Sequence, residues 1–138
     1  MLFDLASEEV ELAMRQLADA NKALKAEQEK TDMLQTYKQD YIDQYNAQLS
    51  SGLGKEAHLN YQGFLQNLQQ AIDGQADMVV SAQYERDKVL AVLQESQRKK
   101  MSFEVLIKRA EKKTMKIESK RDQKMMDEFA MRVKQASK

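Results

Sequence analysis

The sequence predicts an all-α protein: two long helices in an antiparallel coiled-coil hairpin, in which the second helix is longer and overhangs at the C-terminus. Three observations predict this fold. The 138 residues include no proline and only 4 glycines, so residues that end helices and form turns are scarce. Apolar residues recur at heptad spacing through most of the chain. Two of the glycines, Gly52 and Gly54, lie close together and predict a single turn. We therefore expect one antiparallel coiled-coil domain over residues 1–138.

The first helix is predicted over about residues 2–50. Its apolar residues Phe3, Val10, Leu17 and Leu24 lie seven positions apart, and an alanine follows three positions after each of the first three. This pattern is typical of a coiled-coil seam in which two backbones approach closely. Beyond residue 31 we expect the stripe to leave the strict heptad and to continue in four-residue steps through larger side chains, Leu34, Tyr37, Tyr41 and Tyr45.

A turn over about residues 51–56 and a second helix over about residues 56–135 follow. The second heptad stripe begins at Tyr61 and continues without a break to Ile117. Gly63 and Gly74 lie inside it, but a glycine costs only about 1 kcal/mol relative to alanine. That cost is too small to end a helix that a partner helix supports.

The unequal helix lengths predict an unpaired C-terminal segment. A turn centred near residue 53 places position i opposite about position 106 − i, so Phe3 lies opposite Phe103. About thirty residues beyond this point then have no partner within the chain.

The net charge of zero is the sum of two opposite blocks. Residues 1–97 carry 8 Lys and Arg against 16 Asp and Glu, a net charge of −8. Residues 98–138 carry 14 bases against 6 acids, a net charge of +8. The change of sign falls just before the predicted unpaired segment begins.

The chain lacks the residues of most catalytic and metal sites. It contains no cysteine, so disulfides and thiolate metal sites are excluded. Its one histidine, His58, has no cysteine or second histidine with which to share a metal or serve a triad, so no catalytic role is expected for it. We expect a protein that is not an enzyme and that has no cofactor and no metal site. The N-terminus has acids where a signal peptide needs bases, and no apolar run approaches the roughly 18 residues of a membrane span. A cytosolic location is therefore expected.

Four interpretations of residues 108–138 stay open from the residues alone: a solvated helix end, a nucleic-acid contact, an anionic membrane surface and a protein interface. Acids interleave with the bases and dilute the field that phosphate binding requires, so no nucleic-acid partner is expected. The apolar residues at helical spacing favour a protein interface.

The predicted register also brings four aromatic residues together near the turn, Tyr37, Tyr41, Tyr61 and Phe64. They either pack the thick end of the coiled coil or expose an aromatic edge that binds a partner. Two helices cannot fully bury such rings, and exposed aromatic clusters are typical binding anchors.

Three strings of the sequence are similar to segments of one known family. Residues 122–132 read DQKMMDEFAMR, and residues 60–66 read NYQGFLQ with Leu68, Ala71 and Ile72 following. Residues 4–6 and 9–10, with Ala13 and Leu17, form the third string. The first string resembles the DQKxMDEFAxR signature of the flagellar type III export protein FliJ, and the others look like that family's segment after the turn and its first helix. The resemblance covers nearly the whole chain, and the signature favours the flagellar branch.

The resemblance implies a stalk similar to the rotor stalk of F-type and V-type ATPases, placed in the central pore of the hexameric flagellar export ATPase. It also implies contacts with the cytoplasmic domain and linker of the export gate protein, and with export chaperones of late filament substrates. Membrane association would then be indirect, in a cytoplasmic protein peripheral to the inner-membrane export apparatus and serving flagellum biogenesis and motility.

Two sets of site residues are expected. The resemblance assigns export-gate binding to Leu34, Tyr37, Tyr41, Phe64, Leu68 and Ala71. Lys30 and Gln75 depart from the family pattern at the edges of this surface. Residues 115–133 are expected to carry most of the ATPase contact, through Ile117, Arg121, Lys124, Met126, Phe129 and Met131.

Other functions also stay open. The chain is alternatively a general coiled-coil escort or tether that binds export chaperones without a motor role, or the equivalent stalk of a virulence type III secretion system. Stimulation of the ATPase and of its ring assembly distinguishes the stalk from the escort, because a passive escort does neither.

Overall fold

The computed structural model describes residues 1–52 and 54–137. Over these residues the chain forms two α-helices, α1 (Leu2–Leu49, 48 residues) and α2 (Lys55–Ala136, 82 residues), and no strand. The helices pair in antiparallel fashion, so the predicted all-α hairpin with a longer second helix is confirmed.

Glycine is required where α1 ends. The amide of Ser51 donates to the carbonyl of Gln48 (3.1 Å), and the amide of Gly52 donates to the carbonyl of Leu49 (3.2 Å). Gly52 has a φ of 86°, a left-handed conformation that glycine adopts without steric cost. The predicted centre of the turn, residue 53, lies outside the described residues. The second helix begins where the His58 amide donates to the Gly54 carbonyl (3.1 Å).

The chain divides into two compact units. The turn unit is Glu11–Gln94, and the terminal unit is Met1–Val10 with Glu95–Lys138. Each contains a piece of α1 paired with a piece of α2. That the chain forms a single domain stays a prediction.

The core of the turn unit is a narrow seam of heptad positions. Its buried residues are Ala13, Leu24 and Tyr45 from α1 and Leu68, Ile72 and Leu93 from α2. The half-buried residues between them keep the alternating three- and four-residue spacing in both helices. Two paired helices cover only this line of contact, which explains why most other side chains stay exposed.

The predicted drift of the stripe beyond residue 31 is wrong at Tyr37, whereas Leu34, Tyr41 and Tyr45 lie in the seam as predicted. Tyr37 is 52% exposed, whereas Lys38, one position later, is half-buried at the heptad position. The Nζ of Lys38 donates to Oε1 of Gln69 on α2 at 2.6 Å. The heptad spacing of the seam continues here because α2 continues alongside α1. The methylene chain of Lys38 packs in the seam, and its ammonium group reaches the side-chain oxygen of Gln69.

A polar layer interrupts this seam. The Nε2 of Gln75 donates to the backbone oxygen of Glu27 (3.0 Å) and to its Oε2 (2.6 Å), and the Thr31 hydroxyl donates to the same backbone oxygen (3.1 Å). The hydrogen bond from Gln75 is the main cause that lowers the pKa of Glu27; burial opposes it, and the Lys30 charge adds to it. Among the described residues, no buried side-chain nitrogen or oxygen lacks a hydrogen-bond partner.

In the terminal unit, the two helices pair only over a short stretch. Ala6 and Val10 are buried, and the Glu9 carboxylate lies 3.5 Å from the Lys99 ammonium on α2. The Nζ of Lys100 lies 5.8 Å from the centre of the Phe3 ring. These contacts confirm the predicted register, because the paired positions sum to within a few residues of about 106.

Beyond this stretch the terminal unit contains one unpaired helix. Every described side chain from residue 105 onward is exposed. We call residues 105–136 the overhang; at about 1.5 Å per residue this helical segment is about 48 Å long. The predicted unpaired C-terminal segment is therefore confirmed.

Candidate protein-binding surfaces

Aromatic rings stack across the two helices of the turn unit beside the turn. The rings of Tyr45 and Tyr61 lie parallel with centroids 3.6 Å apart, and Tyr41 stacks on the other side of the pair at 5.2 Å from Tyr61. Phe64 lies 4.3 Å from Tyr41, and Tyr37 meets the edge of Phe64 at 6.1 Å. Burial among these rings is the main cause that raises the pKa of Tyr61, and the neighbouring phenols of Tyr45 and Tyr41 add to it.

His58 closes the turn end of this stack. Its Nδ1 is hydrogen-bonded to the hydroxyl of Tyr45, and the two rings lie 5.6 Å apart. The sequence analysis assigned His58 no partner. The register of the hairpin predicts Tyr45 as its partner, because positions 45 and 58 sum to a value close to about 106, as the other facing pairs do. The structural role of His58 is therefore to tie the start of α2 to the end of α1.

The six residues predicted to bind the export gate divide into two groups in the structure. Leu68 is buried in the seam, and Leu34 and Tyr41 are half-buried there. Exposed beside the seam are Tyr37 (52%), Phe64 (37%) and Ala71. The contact between Tyr37 and Phe64, with Ala71 seven residues after Phe64, places these three on one flank of the hairpin. We call them the aromatic flank. That this surface binds the gate stays a prediction.

A shallow groove on α1 adjoins the aromatic flank. It is lined by Asp32, Met33, Leu34, Thr36, Tyr37 and Asp40, and we call it the acidic groove. Met33 is 70% exposed although it is apolar. Met33 and the two aspartates were not among the predicted site residues. Their signal is the spacing of Met33 and Tyr37, four residues apart on the same side of a helix, with Asp32 next to Met33 and Asp40 three residues after Tyr37.

The six residues predicted to bind the ATPase are all exposed and lie on both sides of the overhang. Ile117, Arg121, Lys124 and Met131 continue the line of the heptad seam. Met126 lies nine residues after Ile117, which is about 180° around a helix of 3.6 residues per turn, and Phe129 lies on the same side as Met126. Phe129 is 69% exposed and Met126 is 68% exposed. The overhang therefore presents apolar side chains in opposite directions.

Neither a metal site nor a membrane span is found in the part of the chain that the structure describes. No three His, Cys, Asp or Glu residues there are grouped so that they can hold a metal ion. No helix in this part combines the length and the apolar character needed to cross a bilayer.

Several known proteins are similar to this chain. A family model described as "Flagellar FliJ protein" matches residues 1–138. The chain is 31% identical over 131 residues to the flagellar FliJ protein of Escherichia coli (strain K12) and 30% identical over 131 residues to that of Salmonella typhi. Each alignment covers 95% of this chain and 89% of the relative. Among solved structures, a YscO homologue from Chlamydia trachomatis matches 97% of this chain and 87% of its own, with 18% identity and a TM-score of 0.48.

Proposed function

The chain belongs to the flagellar FliJ protein family, and from this premise we propose that it is the non-catalytic stalk of the flagellar type III protein export apparatus. In this role it binds the central pore of the hexameric export ATPase, promotes assembly of the ATPase ring and couples the ring to the export gate. Family membership supports a component of flagellar protein export; the individual contacts are the proposal.

The observation that carries the ATPase contact is the two-sided apolar surface of the overhang. An amphipathic helix that lies on a flat partner buries one face and leaves the other in water. Ile117 and Met126 point about 180° apart, and both are at least half exposed (50% and 68%). A partner that covers both must enclose the helix, as the pore of a ring does. Methionine side chains suit such a pore because they adapt to irregular surfaces.

The charge of the overhang supports association with the ring. Residues 105–136 carry 10 Lys and Arg against 5 Asp and Glu, a net charge of +5. A basic helix is drawn to an acidic pore entrance over several ångströms, which raises the association rate at low ionic strength. Arg121 and Lys124 lie on the same side of the overhang as Ile117 and Met131 and are the cations we expect nearest to the pore wall.

The aromatic flank supports contact with the gate. Tyr37 and Phe64 are exposed, yet each ring is held by contacts with a neighbouring ring. Aromatic side chains held in this way lose little conformational entropy on binding, and they are common anchors in interfaces. Gate binding at this flank leaves the overhang free, so one chain contacts both partners. The protein is then cytoplasmic and associates with the inner-membrane export apparatus through the gate, where it also escorts export chaperones.

The test compares ATP hydrolysis and ring assembly by the purified export ATPase with and without the full chain. We expect stimulation of both, and loss of co-purification and stimulation for the double variant Met126→Asp with Phe129→Asp. The matched control is Val80→Asp with Tyr84→Asp, which removes two equally exposed apolar side chains from the turn unit and is expected to keep both activities. Circular dichroism should give the same helix content for all three proteins.

Two outcomes contradict the proposal. Binding that survives Met126→Asp with Phe129→Asp removes the assigned ATPase contact. Chaperone binding without any stimulation of hydrolysis or ring assembly by the unchanged chain identifies a passive escort instead of a stalk.

A further inference from the structure

The terminal unit carries a second groove with a chemistry opposite to that of the acidic groove. It is lined by Met101, Ser102, Val105, Leu106 and Arg109, and we call it the basic groove. Met101 and Val105 are 62% and 44% exposed and lie four residues apart on one side of α2. Arg109, Lys108 and Lys112 follow on the same side of the helix. None of these three bases takes part in an ion pair within the described residues.

The acidic groove has the matching arrangement. Its apolar pair, Met33 and Tyr37, is also four residues apart and exposed. Asp40 follows on the same side of α1, and Asp43 lies nearly one turn further, about 80° around the helix from Met33. Neither is in an ion pair within the described part of the chain. In both grooves, therefore, an exposed apolar pair precedes a charged segment, and the two charges are opposite.

The turn unit and the terminal unit as wholes also carry opposite net charges. The turn unit, residues 11–94, has 8 bases against 12 acids, a net charge of −4. The terminal unit has 14 bases against 10 acids, a net charge of +4. A chain with zero net charge and two such units has no overall repulsion from its own copies, and its unlike units attract.

We infer that this chain associates with a second copy of itself, the basic groove of one copy docking in the acidic groove of the other. The inference does not rest on the proposed function, since it uses none of the assigned ATPase residues and needs no gate protein, although Leu34 and Tyr37 of the acidic groove also belong to the predicted gate-binding surface.

One alignment satisfies both the apolar and the charged positions. If the two helices run parallel with an offset of 68 residues, Met33 faces Met101 and Tyr37 faces Val105 of the other copy. The same alignment places Asp40 and Asp43 within one residue of the positions that face Lys108, Arg109 and Lys112. The antiparallel alignment that pairs the same apolar residues places Lys108 opposite Lys30, a like charge, whereas the parallel alignment places Lys108 opposite Asp40. The parallel alignment is therefore the one we assign.

The association is expected to be weak and sensitive to salt. A few turns of helix bury less surface than the roughly 800 Å² per partner of a standard stable interface, and exposed ion pairs are screened at high ionic strength. We expect the weight-average mass in sedimentation equilibrium to rise with protein concentration at about 20 mM salt and to equal the monomer mass at about 500 mM salt.

A charge-swap experiment tests the pairing directly. The base-reversed variant Lys108→Glu with Lys112→Glu and the acid-reversed variant Asp40→Lys with Asp43→Lys should each lose self-association by about tenfold or more. Mixed together, they should associate again, because the reversed basic groove then matches the reversed acidic groove. The control is Lys22→Glu with Lys25→Glu, an equal charge change at exposed positions outside both grooves, which should leave self-association within about twofold.

Disulfide cross-linking tests whether the two docked helices run parallel. Introduced cysteines are then the only thiols, because the chain contains no cysteine. Gln44→Cys in one copy should form a disulfide with Lys112→Cys in another, since these positions differ by 68 residues. Ala26→Cys is the control for the antiparallel alignment and should not react with Lys112→Cys. A monomer at every salt and concentration, failure of the mixed variants to associate, or preferential cross-linking through position 26 would overturn the inference.

Discussion

The side-chain amide of Gln75 donates two hydrogen bonds to one residue of the opposite helix, Glu27: one to its backbone oxygen (3.0 Å) and one to its carboxylate (2.6 Å). This contact lies in the seam of the turn unit, where heptad positions are otherwise mostly apolar. A polar pair in a coiled-coil seam favours the one register in which both partners meet, because any slip leaves them unpaired. The same contact lowers the pKa of Glu27.

The Glu27 carboxylate is expected to make stability depend on pH. A carboxyl whose pKa is lower in the folded chain than its ordinary value of 4.5 stabilises the fold above that pH. The contribution is lost as the pH falls through the lower, folded value. We expect Glu27→Gln to reduce the melting temperature at about pH 7 and to change it much less at a pH below the lowered, folded pKa, where the carboxyl is protonated in both the folded and the unfolded chain.

Thermal unfolding followed by circular dichroism measures this difference. Glu29→Gln is the control, because Glu29 is exposed and takes part in no ion pair within the described residues. An equal loss of melting temperature at both pH values for Glu27→Gln would show that the charge of Glu27 does not contribute.

The glycines are expected to respond in opposite ways to alanine substitution. Gly52 has a positive φ, so Gly52→Ala should lower the free energy of unfolding by about 1 kcal/mol. Gly63 and Gly74 lie inside α2, and an added methyl group meets no atom within 4 Å at either site. Gly63→Ala and Gly74→Ala should therefore each raise the free energy of unfolding by up to about 1 kcal/mol. Urea unfolding checks all three; stabilisation by Gly52→Ala would contradict the assigned turn geometry.

Substitution of the aromatic stack is expected to weaken gate binding while ATPase binding stays intact. Tyr41→Ala with Phe64→Ala removes the rings that hold Tyr37 and Tyr61. We expect at least a tenfold weaker affinity for the cytoplasmic part of the gate protein, since such anchors commonly contribute more than 1 kcal/mol. Calorimetry with each partner separately measures the effect. If the gate affinity is unchanged, these rings serve packing alone.

Within the predicted gate-binding surface, a substitution in the seam is expected to reduce stability, whereas a substitution on the aromatic flank is expected to reduce gate binding. Leu68 is 7% exposed, so Leu68→Ala should cost about 2–4 kcal/mol of stability through the cavity it leaves. Ala71 is exposed, and Ala71→Asp should leave stability within about 0.5 kcal/mol while it weakens gate binding. Leu93→Ala, a buried change in the same unit, controls for destabilisation and should keep the gate affinity at temperatures where the variant is folded. Strong destabilisation by Ala71→Asp would argue against its place on the flank.

The fold and its register could be read from the sequence because the information is local and repeated. Each heptad specifies the same seam again, and the absence of proline leaves α2 unbroken from Lys55 to Ala136. The length of the overhang follows by subtraction once Gly52 and Gly54 place the turn. The family was also recognisable, because residues 122–132 form a continuous string.

The candidate surfaces were less predictable. The choice between Tyr37 and Lys38 for the seam was wrong because hydrophobicity alone favours the tyrosine. In the structure Lys38 lies in the seam, where its ammonium donates a hydrogen bond to the side chain of Gln69 on the partner helix. The contact between His58 and Tyr45 was not predicted because it joins two helices, so it is found only by applying the register of the hairpin to positions 45 and 58.

The sequence by itself determined the two helices, their antiparallel register, the unpaired basic end and the family. Only the tertiary structure decided which of the predicted site residues are accessible: Leu68 is covered, whereas Tyr37, Phe64 and Ala71 are exposed. The physical reason is that heptad spacing specifies which line of each helix makes contact, whereas the exposure of the flanking side chains depends on what the partner helix covers at each level.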